Sequence, residues 1–306
     1  MEKRVQILLS TYNGERYLLE QLNSLLQQSY SNIHILIRDD GSKDKTISIL
    51  KNYQIKFPQK IQIILDKNVG VIESFFKLIE ISKNDYDFYF FCDQDDFWEK
   101  DKIEKAIEKI EEEKEEKCIG YCSNLKLVDE NLTFIKFAYS RILKPNILNS
   151  FLENIVTGCT YACNKDLFLK IKEKVKTIDT QKIPMHDHYF YFLTCLYGKL
   201  IYDQKSYILY RQHSTNVIGM KGKSFFKRMK KVLFNKKKSI RLLFLQEILL
   251  KFSLELKEEE RKYLQEILNS YNYFFKRLYI VFKLDFIRQN QNDSFFARIV
   301  YLLKKF

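Results

Sequence analysis

Glycine and proline are scarce in this chain of 306 residues, at eight and three. Scarcity of both excludes a collagen-like or linker-dominated molecule. The chain has neither Gly-x-Gly-x-x-Gly nor the full Gly-x₄-Gly-Lys-Ser/Thr pattern, so neither a dinucleotide fingerprint nor a P-loop is written into it. No uncharged apolar stretch approaches the roughly 18–20 residues that span a bilayer. The N-terminal MEKRVQILL passes at once into Ser-Thr-Tyr-Asn, too short an apolar run for a secretory leader. The six cysteines (Cys92, Cys118, Cys122, Cys159, Cys163 and Cys195) form no Cys-x-x-Cys and have no histidines at zinc-like spacing. They read as buried, reduced thiols of a cytosolic protein. Disorder is excluded too, because 46% of the residues are apolar or aromatic.

Net charge is missing from most of the chain and concentrated at one end. Residues 1–220 hold 31 Lys+Arg against 31 Asp+Glu, whereas residues 221–306 hold 21 against 8. The whole excess of +13 therefore lies in the last 86 residues. The division predicts a catalytic or binding domain over 1–220 and a basic, aromatic-rich helical extension over 221–306.

Along the first 130 residues short β-branched runs alternate with helical patterns. Val5–Ser10, Ile33–Arg38, Ile61–Leu65 and Phe88–Cys92 read as strands. Helical periodicity covers Tyr17–Gln28, the segment with Ile47, Leu50 and Tyr53, Gly70–Ile81 and the charged run Asp101–Lys117. The rhythm predicts an α/β fold with a mainly parallel central sheet and helices on both faces. Beyond it, Ile119–Ser123 and Thr160–Cys163 read as strands, Lys165–Val175 and His186–Leu196 as helices.

In such sheets ligands gather at the carboxyl ends of the strands. The residues just past each expected strand are polar and chemically coherent: Ser10-Thr11-Tyr12-Asn13-Gly14, Asp39-Asp40-Gly41-Ser42, Asp66-Lys67-Asn68-Val69-Gly70, and Asp93-Gln94-Asp95-Asp96. Asn-Gly and Asp-Gly are also ordinary turn dipeptides, so no single site decides the matter. The last carries most chemistry. Three carboxylates within four residues repel one another at a poorly solvated sheet edge unless a cation compensates, and a hard divalent ion with oxygen ligands would do so. An EF-hand calcium loop fits worse, since Phe97 and Trp98 stand where a ligand and a glycine are needed.

Residues 4–213 resemble glycosyltransferase family 2 enzymes of the GT-A fold, and most of all the rhamnosyltransferase-like branch acting in bacterial surface polysaccharide synthesis. Six short motifs in order carry the resemblance: the Ser10–Gly14 and Asp39–Thr46 segments, Asn68-Val69-Gly70, Asp93–Trp98, His186–Tyr189 and Tyr210-Arg211-Gln212-His213. It implies an inverting, metal-dependent sugar transfer, rhamnose among the candidates. The sugar would pass from a UDP or dTDP donor to a hydroxyl of a growing polysaccharide or lipid-linked oligosaccharide. It implies donor contacts from Ser10, Tyr12, Asp40, Asn68, Asp93 and Arg211, and Mn²⁺ or Mg²⁺ held by Asp95, Asp96 and His213. It implies Asp187 as general base, although His186 stands where the family has Glu.

Two other classes are weighed against this. A sugar-nucleotide pyrophosphorylase needs a glycine-rich basic loop after the first strand, and Ser10–Tyr17 has one glycine and no lysine. A nucleic-acid-binding protein would use the basic tail, but there the charge alternates with large apolar residues on helices. In Ser224–Asn235 the residues Phe225, Phe226, Met229, Val232 and Leu233 recur at helical spacing beside Lys227, Arg228, Lys230 and Lys231, with Lys236–Lys238 beyond. That pattern predicts a helix in the interface of an anionic membrane, on the inner face of the cell membrane, rather than a nucleic-acid site. Packing of the apolar stripes on protein is the alternative.

Overall fold

A computed structural model of the chain describes residues 2–139, 145–213, 240–283 and 291–303. The basic segment Ser224–Asn235, with Lys236–Lys238 and Phe286–Ile287, lies outside the described residues. The described chain forms two compact units. One takes in residues up to 139 with 156–177 and 197–213; the other takes in 145–155, 178–196 and 240–303.

The first unit is built on a sheet of nine strands among the described residues. Its first half follows the βαβ rhythm. β1 (Val5–Thr11), β2 (Ile33–Asp39), β3 (Ile61–Leu65) and β4 (Phe88–Cys92) alternate with α1 (Leu18–Leu26), α2 (Thr46–Lys56) and α3 (Val71–Ile81). The order β3-β2-β1-β4 is parallel throughout. β4 is buried at every position, and six of seven β1 residues are buried, as a parallel sheet covered on both faces requires. The register pairs Thr11 with Asp39, Asp39 with Leu65 and Leu9 with Cys92, so four carboxyl ends finish at one edge.

The second half is mixed. β5 (Phe97–Trp98), α4 (Lys102–Glu112), β6 (Ile119–Val128), β7 (Phe134–Phe137), β8 (Ala162–Asn164), α6 (Lys165–Lys174) and β9 (Lys199–Arg211) complete the unit. β8 is antiparallel to β4 and β6, β6 runs parallel to β9, and β5 is antiparallel to β9. The fold class read from the sequence holds, with a parallel half and a mixed half. β9 has no counterpart among the strands expected from the sequence. Asp203-Gln204-Lys205-Ser206 interrupts its apolar pattern, and the β6–β9 register shifts opposite that interruption, where the Lys126 N–H donates to Ser206 Oγ at 2.9 Å. α4 ends at Glu112, five residues before the expected end, because the acidic and basic run after it offers no apolar face to bury.

The second unit contains α5 (Ile147–Leu152), α7 (His186–Tyr197, whose last residue belongs to the first unit), α8 (Ile240–Phe252), α9 (Glu258–Ser270), α10 (Phe274–Lys283) and α11 (Gln291–Leu302). Aromatic rings interlock its core: Phe151 with Phe192 at 5.6 Å and with Phe244 at 5.7 Å, and Phe192 with Phe252 at 5.4 Å. The apolar side of α8, in the basic extension, is thus buried against α5 and α7.

Candidate active site

The loops after β1, β2 and β3 are stapled to one another by side chains. Asp39, 1% exposed, accepts from Thr11 Oγ1 at 2.9 Å, from Ser42 Oγ at 2.6 Å and from the Ser42 N–H at 2.8 Å. The N–H of Asn13 donates to Ser42 Oγ and that of Gly14 to Thr46 Oγ1, both at 2.8 Å. Gly41 has φ +79°, and a Cβ there would stand 3.0 Å from Asn68 N, so both backbone and space require glycine.

Arg38 holds this array from below. It lies inside a buried strand, 1% exposed, and donates to Asp40 at 2.6 Å, to Ser74 Oγ at 2.9 Å, and to Asp66 and the Lys67 carbonyl at 3.0 Å each. Ser74 in turn bonds Ser10 at 2.6 Å. Hydrogen bonds from the Lys67 N–H, Arg38 and Lys77 hold the Asp66 carboxyl well below the usual carboxylate range. Asp40 is 2% exposed and accepts from Arg38 and the Val69 N–H on Oδ1 and from the Gly70 N–H on Oδ2. A carboxylate offers about four acceptor positions, so Oδ2 retains one. Ser10 is half-buried, Tyr12 and Asn68 are exposed, and all four donor-side residues from the first three loops share the sheet edge. Arg38→Met should cost about 3–5 kcal/mol in denaturant unfolding, because it strands the Asp40 charge in the interior. A loss below about 1 kcal/mol would mean that the Asp40 charge is compensated by other groups.

After β4 the acidic run divides. Gln94 faces the first loop, its Oε1 accepting from the Tyr12 N–H at 2.8 Å and its Nε2 donating to the Tyr12 carbonyl at 3.0 Å. A Cβ on Gly14 would stand 2.2 Å from Gln94 Oε1, so a larger residue there would push the amide from its place. Asp95 meets His213, with Oδ2 and Nε2 2.8 Å apart. Asp96 turns inward to 0% exposure; its Oδ1 accepts from the Arg211 N–H at 3.2 Å, and its Oδ2 finds no partner by distance and angle among the described residues, the Cys159 thiol lying nearby. Burial, then the charges of Asp95 and Asp93, raise the Asp96 carboxyl well above its ordinary range. Asp93, Asp96 and Cys159 bring ligand atoms within 4.8 Å of one another. Burial, followed by Asp96 and Asp93, also raises the Cys159 thiol.

These groups fit a hard divalent cation. The buried Asp96 oxygen and the mutual repulsion of the carboxylates call for the same positive charge. Among the described residues the ligand atoms of Asp93, Asp96 and Cys159 lie together, with Asp95 of the same turn hydrogen-bonded to His213.

Arg211, expected near the donor phosphates, is buried beneath the acidic loop. Its side chain is 1% exposed, with Nε donating to the Asp95 carbonyl at 3.0 Å, Nη1 to the Glu130 carbonyl and Nη2 paired with Glu20. The guanidinium also lies 4.4 Å from the Tyr17 ring centre, and that ring lies 5.0 Å from His213. Arg211 therefore shapes the acidic loop through its backbone. Gln94, Arg38 and Cys159 received no role from the sequence. A charged residue in the middle of the Ile33–Asp39 run was the available signal for Arg38, since such a residue is seldom buried unless paired.

Asp187 belongs to the second unit, in the first turn of α7. It is 7% exposed, and its Oδ1 accepts from Asn154 Nδ2 at 2.8 Å and from the His188 N–H at 2.7 Å. His188 Nε2 bonds the Ser150 carbonyl, which can only accept, so that nitrogen carries the proton and is no metal ligand. Burial pushes the His186 imidazole down to about 3, leaving it neutral.

By its sheet and its acidic strand-end loop, the first unit has the architecture of a GT-A glycosyltransferase. The chain belongs to glycosyl transferase family 2, whose model matches residues 6–175. It is 32% identical over 227 residues to the dTDP-rhamnosyl transferase RfbG of Shigella flexneri, covering 69% of this chain and 73% of that one. Among solved structures it is similar in fold to S. aureus TarS in complex with UDP-GlcNAc, with a TM-score of 0.56 and 17% identity over 98% of this chain and 89% of that one. It is similar too to the Pyrobaculum calidifontis mannosyltransferase PcManGT in complex with GDP-Man and Mn²⁺, with a TM-score of 0.51 and 12% identity over 99% and 88% of the two chains.

Proposed function

We propose that this glycosyltransferase inverts the anomeric centre of a nucleoside diphosphate sugar, with dTDP-rhamnose the first donor to test and UDP-sugars next. The rhamnosyl reading is supported by the similarity to RfbG, and a divalent metal by the facing Asp95 and His213. That pair is the observation that carries the mechanism. A bound Mn²⁺ or Mg²⁺ would supply charge neutralisation for the departing diphosphate. Asp95, His213 and Asp93 would hold it, and Arg211 would fix the loop that presents them. Tyr12 and Asn68 are exposed at the sheet edge for contact with the nucleotide, and Ser10 and Asp40 line the same edge. Asp187 would accept the proton of the attacking hydroxyl, its orientation set by Asn154. The acceptor is a saccharide hydroxyl, on a lipid-linked oligosaccharide of the inner membrane face in the fullest form of the reading. The basic extension would then meet anionic lipid rather than nucleic acid.

A panel of dTDP- and UDP-sugars, incubated with the full chain and Mn²⁺ or Mg²⁺, should show slow donor hydrolysis that chelator abolishes. Retained hydrolysis in chelator would reject the metal, and no hydrolysis of any donor would reject the donor class. Asp40→Ala should weaken calorimetric binding of dTDP or UDP by about 1.5–3 kcal/mol, the worth of a hydrogen bond to a charged group. Equal affinity for variant and wild type would clear Asp40 of contact with the base.

A further inference from the structure

Tyr17 joins three parts of the first unit: the loop after β1, the loop after β6 and the end of β9. It stands just before α1 and is 8% exposed. Its N–H donates to the Gly14 carbonyl at 3.2 Å, and its carbonyl accepts from the Gln21 N–H at 3.1 Å. The helix it opens is seated by Leu18, Leu22 and Leu25, all fully buried, so the ring is carried on a packed element. Two guanidiniums hold that ring in place, Arg211 at 4.4 Å and Arg16 at 4.9 Å from its centre. Both are joined through Glu130, whose carbonyl accepts from Arg211 and whose carboxylate pairs with Arg16 at 2.6 Å. The His213 ring centre lies 5.0 Å from that of Tyr17, with the planes 36° apart. By contrast the Tyr17 hydroxyl is buried with no hydrogen-bond partner among the described residues. A hydroxyl so placed costs stability, so the ring is the part that the site uses.

We propose that Tyr17 is a positioning residue of the candidate metal site, its ring setting the plane of the His213 imidazole so that Nε2 faces Asp95. His213 needs such backing because of where it lies. β9 ends at Arg211, and the Gln212 N–H still donates to the Val128 carbonyl at 2.9 Å; His213 is the next residue, beyond the strand. The bond to Asp95 at 2.8 Å holds one atom of the imidazole, and a second ring packed on it fixes the plane. A ligand that is oriented before the ion arrives binds it more tightly than one that must be ordered. An aliphatic side chain of similar bulk has neither the flat face nor the quadrupole that attracts the guanidiniums. The inference rests on the reading of His213 as a metal ligand, and its test separates the two.

Calorimetric titration of the full chain with Mn²⁺ provides the test and needs no sugar transfer. Tyr17→Leu should weaken Mn²⁺ binding by about 10–100-fold, the usual cost of losing a residue that orients a ligand. Tyr17→Phe keeps the ring and removes the unpartnered hydroxyl, so it should bind Mn²⁺ as wild type does and melt no lower. In a chain already carrying His213→Ala, Tyr17→Leu should weaken Mn²⁺ binding no further, since the ring acts through the imidazole. A general loss of packing would instead add to the effect of His213→Ala. Wild-type affinity in Tyr17→Leu, additive losses in the double variant, or an equal loss in Tyr17→Phe would each overturn the proposal and leave the metal reading standing. Wild-type affinity in His213→Ala would remove His213 from the ligands and overturn both.

Discussion

Asp187→Asn is expected to lower the rate of sugar transfer by about 10²–10⁴-fold, the usual contribution of a positioned general base. The amide keeps the shape of the carboxylate and can still accept from Asn154 and from the His188 N–H, so the first turn of α7 should persist. What it loses is the capacity to take a proton. Donor affinity should barely move, and kcat should fall with kcat/KM. Initial rates with a saturating donor, beside calorimetry with the free nucleotide, separate the two effects. Unchanged turnover with weakened nucleotide binding would reassign Asp187 as a binding residue.

Asp95→Ala should abolish metal-dependent turnover, a larger loss than the roughly 10–100-fold typical of residues that only orient a ligand. The fold should survive, because the Asp95 side chain bonds His213 at the half-exposed edge and its removal relieves repulsion on buried Asp96. Asp96→Asn provides the contrast. Asp96 accepts from the Arg211 backbone and is sealed from solvent, so its amide should change the melting temperature more than the metal affinity. Metal titrations of the two variants decide between the carboxylates: if Asp95→Ala binds Mn²⁺ as wild type does while Asp96→Asn does not, the metal belongs with Asp96 and Cys159.

Much of this was legible in the sequence because it depends on local pattern. β3 and β4 begin and end where their β-branched and aromatic runs do, and the polar residues of the first three loops follow directly from the ends of their strands. Local pattern needs only neighbours along the chain, and strands buried on both faces leave continuous apolar runs bounded by turn residues. Asp93-Gln94-Asp95-Asp96 was legible for a related reason: carboxylates this close repel under any fold, so the charge conflict is already present in the sequence.

Pairing across long separations was left to the tertiary structure. His213 is 118 residues from the aspartate it meets, and Arg211 is 191 from Glu20. Neither partner leaves a trace near the other in sequence, and both depend on β9, a strand whose polar middle hides it from a period-two reading. The placement of Arg211 depends on the same strand. As a residue type it suits phosphate, yet β9 places its guanidinium between two backbone carbonyls and a glutamate, where hydrogen bonds leave it only 1% exposed. Which carboxylate of the acidic run faces outward and which is buried is likewise a property of the turn between β4 and β5. A sequence states that charges are close together; only the packed chain decides which of them keeps its water.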